Sequence, residues 1–193
     1  MTDRDAVRGV LTAAADWHVR VAAERADEIV AAARLIQDAL TAGRKVLVFG
    51  NGGSATDAEH LATELVGRFE QDRRAFPAIA LTSDSALITA VANDYGFDAV
   101  FVRQIDALGA TGDVAIGITT SGRSANVTAA LVRARERGLR TIALTGRDGG
   151  ATGQAAEVHV NVPSDSTARV QEVQRTIIHA WCQLIEQEPG PGR

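Results

Sequence analysis

Val46–Phe49 (VLVF) is apolar on both alternating sets of side chains that a strand presents. A strand with one wet face alternates apolar with polar residues. One that is apolar throughout is covered on both faces, the pattern of a parallel sheet between layers of helices. The next residues narrow the choice. Gly50–Ser54 (GNGGS) is a turn of small residues, and a helix opens near Thr56. A strand end, a glycine-rich turn and a helix start make a ready anion site. Glycine lets the backbone approach a ligand closely, and the first N–H groups of a helix are unpaired donors at the positive end of its dipole. His60 and Glu64 stand four residues apart in that helix, so both project from one face. One element thus offers an anion cradle and, one to two turns on, a base or metal-ligand pair.

Four further apolar runs have the same strand character: Ala78–Leu81, Asp113–Thr119, Arg140–Thr145 and Val158–Val162. Helical patterns separate them, over about 85–92, 98–108, 125–138 and 151–155, and a last helix over 167–187 carries Val170, Val173, Ile177, Trp181 and Leu184 as its apolar stripe. Two helices, 3–18 and 20–42, precede the first strand. In the second, Ile29, Ala33, Ile36 and Leu40 recur at helical spacing and Gly43 is the stop. Alternating strands and helices predict an α/β fold, a doubly wound five-stranded parallel sheet flanked by helices, in a single domain over 1–193 with N-terminal helices in 1–42 and a disordered tail at 188–193. With 4% aromatic residues, the core has to be built from Val, Ile, Leu and Ala.

A net charge of −4 with no run of Lys or Arg argues against a nucleic-acid surface. No apolar run reaches the ~20 residues of a membrane span, and the N-terminal stretch lacks the apolar core of a signal peptide. The single cysteine, Cys182, rules out an internal disulfide framework and fits a cytoplasmic location. Its helical setting reads as a small core hydrophobe. His159, inside a strand alternation, reads as half-buried and structural, and His18 as a surface or helix-end residue.

The third strand ends in Thr119-Thr120-Ser121-Gly122-Arg123-Ser124, after which a helix begins. Four hydroxyls, a glycine and a helix N-terminus make a phosphate cup without a lysine. The same residues are also common turn and cap chemistry. Both turns lie at strand carboxyl ends, where open α/β sheets bind ligands. On the last helix Gln171 and His179 are about 80° apart around the axis and roughly 12 Å along it. That is wide for one compact metal, so spacing alone does not make them ligands.

The stretches FGNGGSATDAEHLATEL, AVANDYGF, TTSGRSANV, ALTGRDGG and RVQEVQRTIIHA, in order from about residue 20 to 187, resemble the bacterial phosphoheptose isomerases, proteins of one sugar-isomerase (SIS) domain with a flavodoxin-like sheet. The resemblance implies conversion of sedoheptulose 7-phosphate to D-glycero-D-manno-heptose 7-phosphate through an enediol. Carried over by motif, Asn51, Gly52, Gly53 and Ser54 hold substrate, with Gln171. Asn93 and Asp94 contact the sugar, and Thr119, Thr120, Ser121 and Ser124 bind its phosphate. Glu64 and His179 match the catalytic base and acid. His60, Glu64, Gln171 and His179 match the ligands of a zinc ion, one per subunit. The family assembles as a homotetramer with sites between subunits, which implies that the two helices need not bring these residues together in one chain. Gln174 replaces a histidine frequent there, Thr119 a serine, and Ala168 a carboxylate. The same superfamily holds two alternatives: a non-enzymatic protein of the DnaA initiator-associating type, and a sugar-phosphate-binding regulatory module. Neither requires the His60, Glu64 and His179 set that this sequence carries.

Overall fold

The computed structural model describes residues 2–187, so the tail over 188–193 lies outside the described residues. Five parallel strands form one sheet in the order β2-β1-β3-β4-β5: β1 (Val46–Gly50), β2 (Ala78–Ala80), β3 (Val114–Thr119), β4 (Arg140–Gly146) and β5 (Val158–Val162). β1 and β3 are buried at every position, as their unbroken apolar runs require. Both faces are covered. On one side α1 (Asp3–Thr41), α2 (Gly53–Val66) and α7 (Thr167–Gln187) pack through Ile36, Leu40, Leu61, Leu65, Ile178 and Trp181. On the other, α4 (Val102–Leu108), α5 (Ala125–Glu136) and α6 (Gly150–Ala155) pack through Ile105, Val127, Leu131 and Ala155. Among the described residues no helix is long and apolar enough to cross a membrane.

The N-terminal segment differs from expectation. Residues 3–41 are one helix, not two. No glycine or proline stands near residue 19, and the apolar positions Val10, Ala14, Trp17 and Val21 keep the helical period through the supposed joint. Its cap is Thr2, whose hydroxyl accepts from Asp5 N while the Asp5 carboxylate accepts from Thr2 N, a reciprocal capping box. His18 is therefore mid-helix, its Nε2 2.8 Å from the Thr176 hydroxyl of α7. The second helical half packs on the core, whereas residues 2–20 bury no side chain.

Two boundaries also shift. α2 opens at Gly53 rather than near Thr56. α3 runs Ser85–Tyr95, so Asn93 and Asp94 sit in its last turn instead of a loop, and Gly96 at φ +85° ends it. Cys182 is buried and free, and burial pushes its thiol up to about 12, as an inert core residue requires.

Candidate active site at the switch point of the sheet

β1 lies between β2 and β3, so the chain turns one way after β1 and the other way for β3. The helices that follow these two central strands, α2 and α5, consequently pack on opposite faces. Their leading turns diverge and leave a crevice at the strand ends, the place where such sheets take ligands.

On one side of the crevice stands the hydroxyl cup. The Thr119 hydroxyl is 2.9 Å from that of Ser124 and 3.3 Å from that of Ser121. Ser124 occupies the N-cap of α5, yet its side chain caps no N–H group. The hydroxyls are spent on one another, not on the helix end, which sets this turn apart from ordinary capping. Ser121 does accept from Arg123 N at 3.2 Å. Gly122 (φ +68°) packs so tightly on Gly149 and Gly150 that a side chain has no room, and Thr152 N donates to its carbonyl. The 146–150 loop thus buttresses the cup from behind. Thr119, in place of serine, keeps its hydroxyl in the cluster.

On the other side α2 and α7 run side by side in the same direction, with contacts in register. Gly53 meets the Gln171 carboxamide so closely that a Cβ there would overlap its nitrogen. One turn on, Arg175 Nη2 lies 2.6 Å from Asp57 Oδ1. One turn further, the Nε2 atoms of His60 and His179 face each other at 2.8 Å. Glu64 Oε1 is 3.6 Å from His60 Nε2. His60, Glu64 and His179 gather inside one subunit, because α2 and α7 share one face of the sheet. Gln171 stays two turns away, against Gly53, as its spacing from His179 demands.

The electrostatics suit a lone-pair role for His60. Burial, then the Arg175 guanidinium, hold its pKa below 6.5, against the pull of Glu64 and Asp57. Burial likewise raises the Asp57 carboxyl, opposed by Arg175. Phe69 lies over His179, ring centroids 5.4 Å apart.

Two imidazole nitrogens and a carboxylate oxygen are donors that zinc takes, and ligands of a tetrahedral ion stand roughly 3.3 Å apart for bonds of about 2.0 Å. The His60–His179 and His60–Glu64 separations bracket that value. The donors fit zinc in kind and in rough spacing. They are not a closed cage: among the described residues no group of three or more His, Cys, Asp or Glu side chains is arranged to hold a metal ion.

Asn51 pairs with Asn126 beside the cup and Gly53 touches Gln171, so the 51–54 turn spans the two halves. Asn93 and Asp94 are exposed at the end of α3, where the Asn93 amide donates to Asp94 Oδ1. Gln174 is fully buried and donates to the Leu144 carbonyl of β4, so this departure bears on the sheet contact. Three residues of the site escaped sequence reasoning: Asp57, Phe69 and Asn126, whose amide pairs with that of Asn51; Arg175 was legible by its spacing of four from both Gln171 and His179. Of the three, Asp57, three residues before His60 on the same helix face, was the one that helical spacing could have found.

The SIS domain family matches residues 11–146. A phosphoheptose isomerase of Geobacter sulfurreducens is 54% identical over 168 residues, covering 87% of this chain and 89% of that protein. The solved phosphoheptose isomerase of Neisseria gonorrhoeae superposes with a TM-score of 0.92 at 42% identity, covering 97% of this chain and 100% of that one. That of Francisella tularensis gives 0.93 at 39% identity over the same shares. With identity over most of its length and the same α/β architecture, the chain belongs to the phosphoheptose isomerases, enzymes of the SIS-domain family.

Proposed function

We propose that this enzyme interconverts sedoheptulose 7-phosphate and D-glycero-D-manno-heptose 7-phosphate, an aldose–ketose isomerisation through an enediol. The observation that carries the reading is the convergence of Glu64, His60 and His179 on one side of a turn whose other side faces the hydroxyl cup. The cup takes the phosphate, and the 50–54 turn, with Gln171, holds the chain of the sugar. Glu64 takes the carbon-bound proton between C1 and C2 and returns it to the neighbouring carbon. His179 passes protons to and from the carbonyl and hydroxyl oxygens. Bound zinc, on His60, Glu64 and His179, would supply Lewis-acid polarisation of the carbonyl, while Gln171, against Gly53, stays with the sugar. Asn93 and Asp94, exposed in the last turn of α3, contact the sugar. The assembly we propose is a homotetramer, supported by the uncovered apolar side chains of α1 and by α3, which buries none of its residues.

Turnover of sedoheptulose 7-phosphate by wild type beside Glu64→Gln and His179→Gln tests the reading. We expect both variants to lose about 10²- to 10⁴-fold in kcat with oligomer and circular dichroism unchanged. A wild type inactive with and without added zinc would overturn it.

A further inference from the structure

The crevice has a tie across it that the proposed chemistry does not use. Beyond the last backbone pairing of Gly50 with Ile118, the turns after β1 and β3 diverge. There the carboxamides of Asn51 and Asn126 form a reciprocal pair. Asn51 Nδ2 donates to Asn126 Oδ1 at 2.9 Å, and Asn126 Nδ2 donates to Asn51 Oδ1 at 3.0 Å. Asn126 Oδ1 also accepts from Val127 N at 2.9 Å in the first turn of α5. Asn126 is buried, 2% exposed, and stands two residues after Ser124 of the cup. Asn51 stands two residues before Gly53, which touches Gln171. The pair therefore links the cup to the turn that adjoins the α2–α7 residues.

We propose that Asn126 is a positioning residue, and that the Asn51–Asn126 amide pair fixes the distance between the phosphate cup and the proton-transfer groups. In the pair, the Asn51 amide commits one of its two N–H groups and one of the two lone pairs of its oxygen to Asn126. What the pair supplies is the position of the 50–54 turn relative to the cup, whichever atoms of the turn meet the sugar. A sugar phosphate anchored at one end reacts only if the other end arrives within a fraction of an ångström of the base. A misplacement of about 1 Å costs on the order of 10²-fold. The inference rests on the isomerase reading for what is positioned, but the tie itself is geometric.

A double-mutant cycle on the full-length protein separates the possibilities. Asn51→Ala, Asn126→Ala and the double variant are compared for kcat, KM and inhibition by inorganic phosphate. The expected result is an equal loss of about 10- to 100-fold in kcat in all three, with the phosphate inhibition constant unchanged. Losses that multiply in the double variant, or a far larger loss in Asn51→Ala than in Asn126→Ala, would show that the two amides act separately and overturn the proposal. So would a weakened affinity for phosphate, which marks a collapsed cup. Asn126→Asp keeps the acceptor for Val127 N and for Asn51 Nδ2 and replaces Asn126→Ala in the cycle if that variant does not fold. Should wild type not turn over the sugar phosphate, the isomerase reading fails by itself. The cycle is then read calorimetrically with sedoheptulose 7-phosphate and inorganic phosphate. Equal weakening of the first alone supports the tie, and unchanged affinity for both overturns it.

Discussion

His159 shows how much one half-buried ring can organise. Its ring lies against Gly149 and Gly153, where any side chain would overlap it, and its Nε2 is 2.7 Å from the Thr145 hydroxyl. That hydroxyl also donates to Asn161 Oδ1, and the Asn161 amide donates to the Arg147 carbonyl. The ring thus helps to hold the 146–150 loop that stands behind the phosphate cup. Burial, then Arg25 on α1, hold its pKa below 6.5, with Glu28 opposing. A depressed histidine pKa means that the unfolded chain binds the extra proton first. Stability from this group is fully present above pH 6.5 and is lost as the pH falls from there through the folded-state value. Urea denaturation between pH 7.5 and 5 should therefore show stability declining towards acid, and less steeply in His159→Gln than in wild type. Equal slopes in the two proteins would remove the histidine from that dependence. The half-buried, structural character of His159 was legible from its place in the VHVNV alternation. Asn126 was not, because its partner Asn51 is 75 residues away and nothing local marks an amide for a distant amide.

The element that joins α2 to β2 is a loop of polar sequence, and polarity alone says only that it is exposed. The structure ties it down at one point. The Glu186 carboxylate, near the end of α7, accepts from the backbone N–H groups of Phe69, Glu70 and Gln71, each at 2.9 Å, and from Arg73 Nε at 2.9 Å. Although burial pushes the carboxyl up, the N–H groups of Gln71, Glu70 and Phe69 outweigh it and hold it below the usual carboxylate range. Arg73 in turn donates to the carbonyls of Glu64 and Leu65, closing the end of α2. The loop is thereby fixed with Phe69 over His179. Glu186→Ala leaves a guanidinium and three N–H groups with a buried partner removed. It should cost about 3–5 kcal/mol, measured by urea denaturation at pH 7. A loss under about 1 kcal/mol would show that the clasp is dispensable. The strands and both functional turns could be read in advance, because each is a local pattern of apolar runs, glycines and hydroxyls. The continuous α1 and the clasp could not. The first depends on the absence of a breaker, and the second on four groups brought together from opposite ends of the fold.

At the scale of the molecule, the sheet is covered on both faces but the subunit is not. Val7, Val10 and Leu11 of α1 recur at helical spacing and are 60%, 53% and 65% exposed. An open groove of about 470 Å³ between α2 and β2, lined by Ala62, Val66 and Ile79, holds none of the site residues. Apolar surface of this extent calls for a partner. Light scattering should give a mass of four chains for wild type and a smaller one for Leu11→Asp, with circular dichroism unchanged. A monomeric wild type would refute the assembly. The paired helices α2 and α7 carry a different consequence. Gly53 with Gln171, Asp57 with Arg175 and His60 with His179 mesh at intervals of one turn, like the teeth of two racks. Racks engage or disengage; they do not slide by half a tooth. A slip of one helical turn, roughly 5.4 Å, would bring Gln171 opposite Asp57 and Arg175 opposite His60, undoing all three contacts at once. The groups proposed to react are thus set by a mechanism with discrete positions, which tolerates no gradual drift between a working and a broken alignment.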